Sequence, residues 1–532
     1  MSASKLTQVR IRMYRGILGD CFLVRTTIVS NGKESDKSIL IDCGVLQNVA
    51  TGAVMRDRLD PSVVDKMTSK QKKDLAQVVD GPTQIKAVAA DVLATVGNHI
   101  DLLIVTHEHY DHLSGFLLSK DAFFGEATTI DRLWMAWTEN FADKQANALR
   151  ARFSKGKQAL AAAANLAEAM GVNASPALAN AGALAAFSGP VSTGADIAAA
   201  GRIGTSGIMQ MLKDKVGASR TDYLEPGEVV DLEAFGLKAF VLGPPRDEAS
   251  LRKDLPSAGP TKEVYLTTID AAAAAESAAN TRLSMMTMTA DPRKFAEETP
   301  FSAIHLSSVL NGERASKPSK EFARIQGIYD GSDNKWRKID DTWTESIEAM
   351  ALKMDSDTNN TSLALAFELP DGQVLLFPGD AQVGNWLSWH DQTYPRAQPP
   401  DSTEKPITAD DLLRRTTFYK GGHHLSHNAT AKALGLERMT DPRLVAAAPV
   451  VEAVAAIQGK GRTSPGKGWK MPYPKLREAL EERTHGRIVR GDGDPAKEIA
   501  AFQKSHPGSP PPVKIEHEQS QGLWVELTFN IV

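Results

Sequence analysis

The segment Thr106-His107-Glu108-His109-Tyr110-Asp111-His112 places three histidines and an aspartate within six residues, directly after the apolar run Leu102-Leu103-Ile104-Val105. A short apolar run of this kind reads as a buried strand. Side chains two apart on an extended chain share a face, so His107 and His109 can address one metal ion. If the chain turns into a helix at once, Asp111 and His112 leave at another angle and reach a second ion. Imidazole and carboxylate are the ligands that zinc and related first-row metals take. A solvated histidine-rich loop has no need of the full H-x-H-x-D-H spacing at a strand end.

Other segments extend the pattern in order. Gly19-Asp20-Cys21-Phe22-Leu23-Val24 leads to Ile39-Leu40-Ile41-Asp42-Cys43-Gly44, a strand pair that ends in an aspartate. Leu375-Leu376-Phe377-Pro378-Gly379-Asp380 is a strand ending in Gly-Asp, and Phe418 to Asn428 contains Lys420-Gly421-Gly422-His423-His424-Leu425-Ser426-His427. Together these motifs resemble the metallo-β-lactamase superfamily. The closest likeness is to the hydrolase domain of the DNA-uptake competence protein ComEC and its soluble relatives. The resemblance covers both ends of the chain and implies an α/β fold, the four-layer αβ/βα metallo-β-lactamase sandwich. Periodicity alone gives only mixed α and β.

At 532 residues the chain is too long for one ordinary domain, so a core with large insertions or two to three domains is expected. The pattern predicts the first half of the fold over 1–140, an Ala-rich helical insertion over 141–220 and sandwich strands over 221–245. A second insertion follows over 246–354, and the second half of the fold over 355–532. Strands are expected at Val9–Met13, Cys21–Thr27, Ser38–Asp42, Leu102–Thr106, Ile130–Ala136, Leu237–Leu242, Val454–Ile457 and Leu523–Phe529. Ser362–Leu369 and Gln373–Phe377 form a hairpin turning at Pro370-Asp371-Gly372. Helices are expected at Ile85–Gly97 and Leu476–Arg483. The first insertion, rich in the strongest helix former, either lids the site or serves as a structural appendage.

Net charge is −4, which excludes strong overall attraction to nucleic acid. Cys21 and Cys43 read first as buried free thiols of a reducing compartment, with a disulfide across the strand pair as the alternative. No signal peptide and no apolar stretch of about 18 residues is present, so a cytoplasmic protein with no membrane segment is expected, unlike the membrane-attached competence protein. Oligomeric state is not legible.

By resemblance, His107 and His109 bind the first metal, Asp111 and His112 the second, and Asp380 bridges both. Relatives place the terminal ligand two residues before the serine, which here makes it His424 and leaves His423 as a catalytic or substrate-facing side chain. The third histidine of the first site is missing from its usual place. An Asn or Asp oxygen of the stretch Asp355 to Ser362, Asn360 among them, completes a weaker first site, or only the second site fills well. His305 could substitute from the insertion. Asp42 reads either as the hydrogen-bond partner of a ligand histidine or as a turn residue. Lys420 holds a phosphate if it faces inward and is solvated if it faces outward. Ser426 and His427 lie beside the site, and His427 departs from the family pattern. The ions are two zinc (Zn2+), with manganese (Mn2+) also suited to an oxygen-richer set.

The resemblance implies a hydrolase that uses a metal-bound hydroxide, with Asp111, Asp380 and His423 at the reaction centre. Between Lys460 and Arg477 six cations (with Arg462, Lys467, Lys470 and Lys475) are interleaved with Trp469 and Tyr473, without an acid. Such a loop suits phosphates and stacked bases. A phosphodiesterase or nuclease acting on a phosphate ester, including nucleic acid, is therefore the leading expectation. A carbon-centred hydrolase of a lactone, thioester or β-lactam is the second, and a non-catalytic binding scaffold the third.

Overall fold

The structure is a computed structural model. It describes residues 5–46, 81–169, 176–185, 204–253, 343–395, 405–456, 468–505, 513–520 and 522–531, with short pieces at 65–69, 72, 187, 263–264, 324, 327–328 and 458. Two mixed sheets organise these residues. The first contains β1 (Lys5–Tyr14), β2 (Cys21–Ser30), β3 (Lys33–Cys43), β4 (His99–Ile104), β5 (Thr129–Ala136), β6 (Thr221–Leu224), β16 (Val513–His517) and β17 (Trp524–Asn530). Their spatial order is β16-β17-β1-β2-β3-β4-β5-β6. The second contains β7 (Val229–Leu232), β8 (Leu237–Gly243), β9 (Ala364–Glu368), β10 (Val374–Phe377), β13 (Thr416–Lys420), β14 (Val445–Ala448) and β15 (Ile488–Arg490), in the order β15-β14-β13-β10-β9-β8-β7. A small ribbon, β11 (Thr393–Tyr394) with β12 (Ile407–Thr408), stands apart. Between the strands run α1 (Gly81–Thr95), α2 (Tyr110–Leu118), α3 (Lys144–Ala169), α4 (Pro176–Ala185), α5 (Thr205–Val216), α6 (Trp343–Asn359), α7 (Val383–Ser388), α8 (Pro474–Arg483) and α9 (Pro495–Ser505), among shorter turns of helix.

Strand alternation explains how the sheets stack. Leu102 and Ile104 of β4, with Leu375 and Phe377 of β10, enter one apolar layer that also holds Ile11, Phe22 and Phe418 between the sheets. Leu103 and Val105, and Val374 and Leu376, point the other way. They join Ile85 and Val88 of α1, Phe116 of α2, Leu212 of α5 and Trp386 of α7. Period-two alternation thus buries both faces of these central strands. Cys21 and Cys43 are register partners, both buried and both free thiols. The 369–373 connection turns through Gly372 at φ 84°, a conformation that glycine adopts without strain.

Three expectations need correction. Glu452–Ala455 is a turn of helix where the sequence predicts a strand from Val454, and the sheet strand is β14, nine residues earlier at Val445. A short apolar run does not distinguish the two by itself. Helix α6 runs through the predicted junction at 354–355 and into the stretch Asp355 to Ser362, because its apolar residues Ile347, Met350 and Ala351 pack against Leu160 of α3 and Leu184 of α4. The two insertions are therefore not separate additions: the end of the second packs on the helices of the first. The stretches around Ala271–Ala275, Met285, Met286, Met288 and His305 lie outside the described residues. No helix among the described residues is long and apolar enough to cross a membrane.

The segment from His107 to His112 is sewn to the opening strands by backbone contact. Asp20 N donates to Asp111 O at 3.0 Å, and Gly44 N donates to Asp20 O at 2.9 Å. Ser114 Oγ, on α2, accepts from Val45 N at 2.8 Å. A Cβ on Gly44 would lie 2.2 Å from the Asp111 carbonyl, a clash with backbone that no rotamer change relieves. We predict that Gly44→Ala destabilises the protein by about 1–3 kcal/mol in denaturant unfolding and lowers metal content. Gly182→Ala, in open space on α4, is the control and should be neutral or slightly stabilising.

Candidate metal centre

The strand β4 ends at Ile104, and residues 105–109 follow with a bend at Glu108 before α2 begins at Tyr110. This break from strand to helix sends the side chains out at different angles. His107, His112 and Asp380 bring ligand atoms within 4.8 Å of one another, and so do Asp111, Asp380 and His424. His107 thus falls with His112 where the sequence pairs it with His109, and His109 joins no such group among the described residues. Asp380 belongs to both groups. It is carried on the turn after β10, where Gly379 adopts φ 58° and a Cβ would press on Ser362 and Thr106. None of His107, His109, Asp111, His112, Asp380, His423 and His424 exposes more than 5% of its surface.

Hydrogen bonds to the outer ring nitrogens set the tautomers. Thr106 Oγ1 donates its one proton to Asp42 Oδ2 at 2.7 Å, so at 3.0 Å it accepts from His107 Nδ1. Asp42 Oδ2 also accepts from His112 Nδ1 at 2.7 Å. The Pro449 carbonyl accepts from His424 Nδ1 at 2.7 Å. Each Nε2 is thereby left with a lone pair, and each faces the acids. His112 Nε2 lies 3.2 Å from Asp380 Oδ2, and His424 Nε2 lies 2.8 Å from Asp111 Oδ2. Lone pair against carboxylate is repulsive unless a proton or a cation lies between. Asp42, which reads ambiguously from sequence, is thus the acceptor that fixes His112, a role it takes at φ 55°.

A donor set can be tested by what it leaves unsatisfied. Buried polar atoms are ordinarily paired. Here His107 Nε2, both nitrogens of His109 and Asp111 Oδ1 have no hydrogen-bond partner and no access to solvent, and His112 Nε2 and Asp380 Oδ2 face each other at 3.2 Å. Asp355 Oδ1 likewise has no hydrogen-bond partner, 3.9 Å from His109 Nε2. Nitrogen and carboxylate donors converging without partners fit divalent cations.

Electrostatics agree. Burial alone would lower the pKa of His112, but Asp380, Asp111, Asp20 and Asp42 together raise it well above the usual imidazole value. For His424 burial also pulls downward, and the bond to Asp111 with the charge of Asp380 outweighs it. Burial would raise Asp380, yet Lys420 and His112 hold it well below the carboxylate range. His109 and His423 are pushed down by burial, to about 4 and about 3, and are neutral.

The remaining predicted residues separate by role. Lys420 does face inward, but it is bound to Asp380 Oδ1 at 2.9 Å, to Gly379 O at 2.8 Å and to Asp20. With its three protons committed, it orients Asp380 and has no hand free for a phosphate. Asn360 is a brace: its Oδ1 accepts from Gln382 N and Asn385 N, and its Nδ2 donates to Lys253 O. It offers no ligand atom. Ser426 Oγ lies 2.9 Å from His423 Nδ1. His427 packs its ring on Tyr473, away from the cluster. His423, His424 and Leu425 take φ values of 40°, 51° and 59° in succession. Each costs about 1–2 kcal/mol for an L residue. Bonds from His423 N to Asp380 Oδ1 and from Tyr473 N to Leu425 O hold them there.

Two contributors were not legible. Glu108, the middle residue of the motif, accepts from Lys157 of α3 at 3.0 Å and from Thr205 and Ser206 of α5 at 2.7 and 2.6 Å. Phe187 sets its ring 5.4 Å from that of His109 and stacks on Trp469. The first insertion therefore docks on the segment from His107 to His112. The basic segment fares less well as a nucleic-acid surface. Lys475 and Arg477 pair with Glu478 and Glu481 on their own helix, Trp469 is engaged by Phe187 and Asn180, and Tyr473 is buried. Lys460, Arg462 and Lys467 lie outside the described residues.

Compared with protein-family models, curated proteins and solved structures, the chain matches none.

In metal-free protein the raised pKa values of His112 and His424 stabilise the fold fully below the unfolded value near 6.5 and progressively less as pH rises toward their folded values. The lowered histidines His107, His109 and His423 act below that window, in the opposite direction. With chelator present, Tm should therefore fall between pH 6.5 and 8. With added zinc the gap between loaded and stripped protein should widen over the same range, since ligands shed protons to bind. His424→Gln should flatten the fall. A stripped Tm that climbs through this window contradicts the protonation pattern.

Proposed function

We propose that the chain is a metal-dependent hydrolase of the metallo-β-lactamase superfamily, built on its four-layer sandwich, and that it cleaves a phosphodiester. The observation that carries this reading is the convergence of buried, unpartnered histidine nitrogens and carboxylate oxygens on Asp380, which is common to both groups. His107 and His109 would hold one divalent cation, Asp111, His112 and His424 another, with Asp380 shared. Such ions, zinc or manganese, supply positive charge that acidifies water and stabilises the entering and leaving oxygens of an in-line displacement.

The chain's own groups complete the work. Lys420 pins one oxygen of Asp380 and leaves the other for the site. Asp42, Thr106 and the Pro449 carbonyl keep protons on the outer nitrogens of three histidines, so their inner nitrogens stay available. His423 is neutral and uses Nδ1 toward Ser426 and Gln382. Its Nε2 is the atom that can hold or pass a proton at a substrate oxygen. The buried setting strengthens each of these interactions.

Net charge and the pairing of Lys475 and Arg477 favour a small phosphodiester over a nucleic-acid strand. One observation supports a second reading: the Phe187–Trp469 stack gives the site an apolar wall beside His109 and His423, which would suit an acyl substrate such as a lactone or thioester.

A substrate panel on metal-loaded protein separates the readings. An activated phosphodiester should be hydrolysed, with activity abolished by chelator and reduced about 100-fold or more by Asp380→Ala. His424→Ala should impair turnover more than His423→Ala; the reverse order would make His423 the ligand. Cleavage of a lactone, glutathione thioester or chromogenic β-lactam with none of the phosphodiester would replace the first reading by the second.

A further inference from the structure

We propose that Asp355, near the end of α6, is the third protein ligand of the first metal position, with His107 and His109. The inference rests on the metal-centre reading above and assigns the one ligand that reading leaves open.

Three observations carry it. Asp355 Oδ1 lies 3.9 Å from His109 Nε2, with both residues buried and neither atom hydrogen-bonded. That separation is too long for a hydrogen bond, whereas two donors each about 2.1 Å from one ion lie roughly 3–4 Å apart. Next, the carboxylate is oriented. Asn359, one turn along the helix, donates to Oδ2 at 3.1 Å, which leaves Oδ1 directed at the site. Finally, the cations nearby are committed elsewhere: Arg152 and Lys353 both pair with Asp357. Among the described residues no cation is paired with Asp355, a buried acid that lies near Asp111 and Asp380. An acid so placed is a poor structural choice unless a cation arrives.

With Asp355 included, the two positions have like composition. His107, His109 and Asp355 serve one, Asp111, His112 and His424 the other, and Asp380 serves both. Each is two imidazoles with carboxylates, a harder set than three imidazoles, so the first position should accept manganese as readily as zinc.

The test is metal binding, read without turnover. Full-length protein stripped by chelator is titrated with Mn2+ by calorimetry and followed by electron paramagnetic resonance. Wild type should take two equivalents and develop an exchange-coupled pair signal. Asp355→Asn should keep one equivalent, weaken the other at least about 10–100-fold and show only an isolated-ion signal. Asp355→His should keep two equivalents of Zn2+ while losing affinity for the second Mn2+; if Asp355→Asn does not fold, this variant decides alone. Two unchanged equivalents and an intact pair signal in Asp355→Asn, or unchanged metal preference in Asp355→His, overturn the assignment of Asp355 alone. Absence of metal binding in wild type overturns the metal-centre reading itself.

Discussion

Asp111 and Asp380 are buried completely, and each raises the other's cost of carrying charge. Two such carboxylates are tolerable only with positive charge between or beside them, because desolvation of an unpaired ion costs several kcal/mol. Much of the surrounding structure answers that need. Lys420 supplies a fixed cation on one side of Asp380. His112 and His424 supply nitrogens that carry protons when no metal is present and are free to give them up when one is. The outer anchors, Asp42 and the Pro449 carbonyl, decide which nitrogen does so.

The sheets exist, in functional terms, to bring the ends of β4, β10 and β13 to one place. β10 pairs in parallel with β13, so Asp380 and His423 leave the same edge of the second sheet. β4 pairs in parallel with β3, so Asp42 and His107 leave the same edge of the first. Facing strand ends across a packed apolar layer convert four distant segments of sequence into one cluster. The helical insertions then close over it. α3 and α5 grip Glu108, and α6, packed on α3 and α4, carries Asp355 to the centre.

What could be read in the sequence was what is local. The H-x-H-x-D-H segment carries its candidate ligands and its strand-to-helix break within seven residues, and Asp380 follows a strand and a glycine. Those positions were legible because spacing and secondary structure are set by neighbours. Lys420 was legible as inward or outward but not as the partner of Asp20 and Asp380, since that depends on a contact across the sheet. Glu108 carried no signal, because its partners lie in the insertion. Asp355 hid within a segment that looks polar and loop-like, and only packing by Ile347 and Met350 makes it helical. At Val454 the failure was of another kind: four apolar residues fit a strand or a helical turn equally well.

The central claim is that buried histidines and carboxylates gathered at Asp380 form a paired metal centre. X-ray absorption at the metal edge of zinc- or manganese-loaded protein tests it most directly. The account predicts a first shell of nitrogen and oxygen only, imidazole scattering beyond it, and a metal–metal vector of about 3.5–4 Å that disappears in Asp380→Ala. Sulfur in the first shell, a spectrum without imidazole scattering, or one unchanged by loss of Asp380 would contradict it.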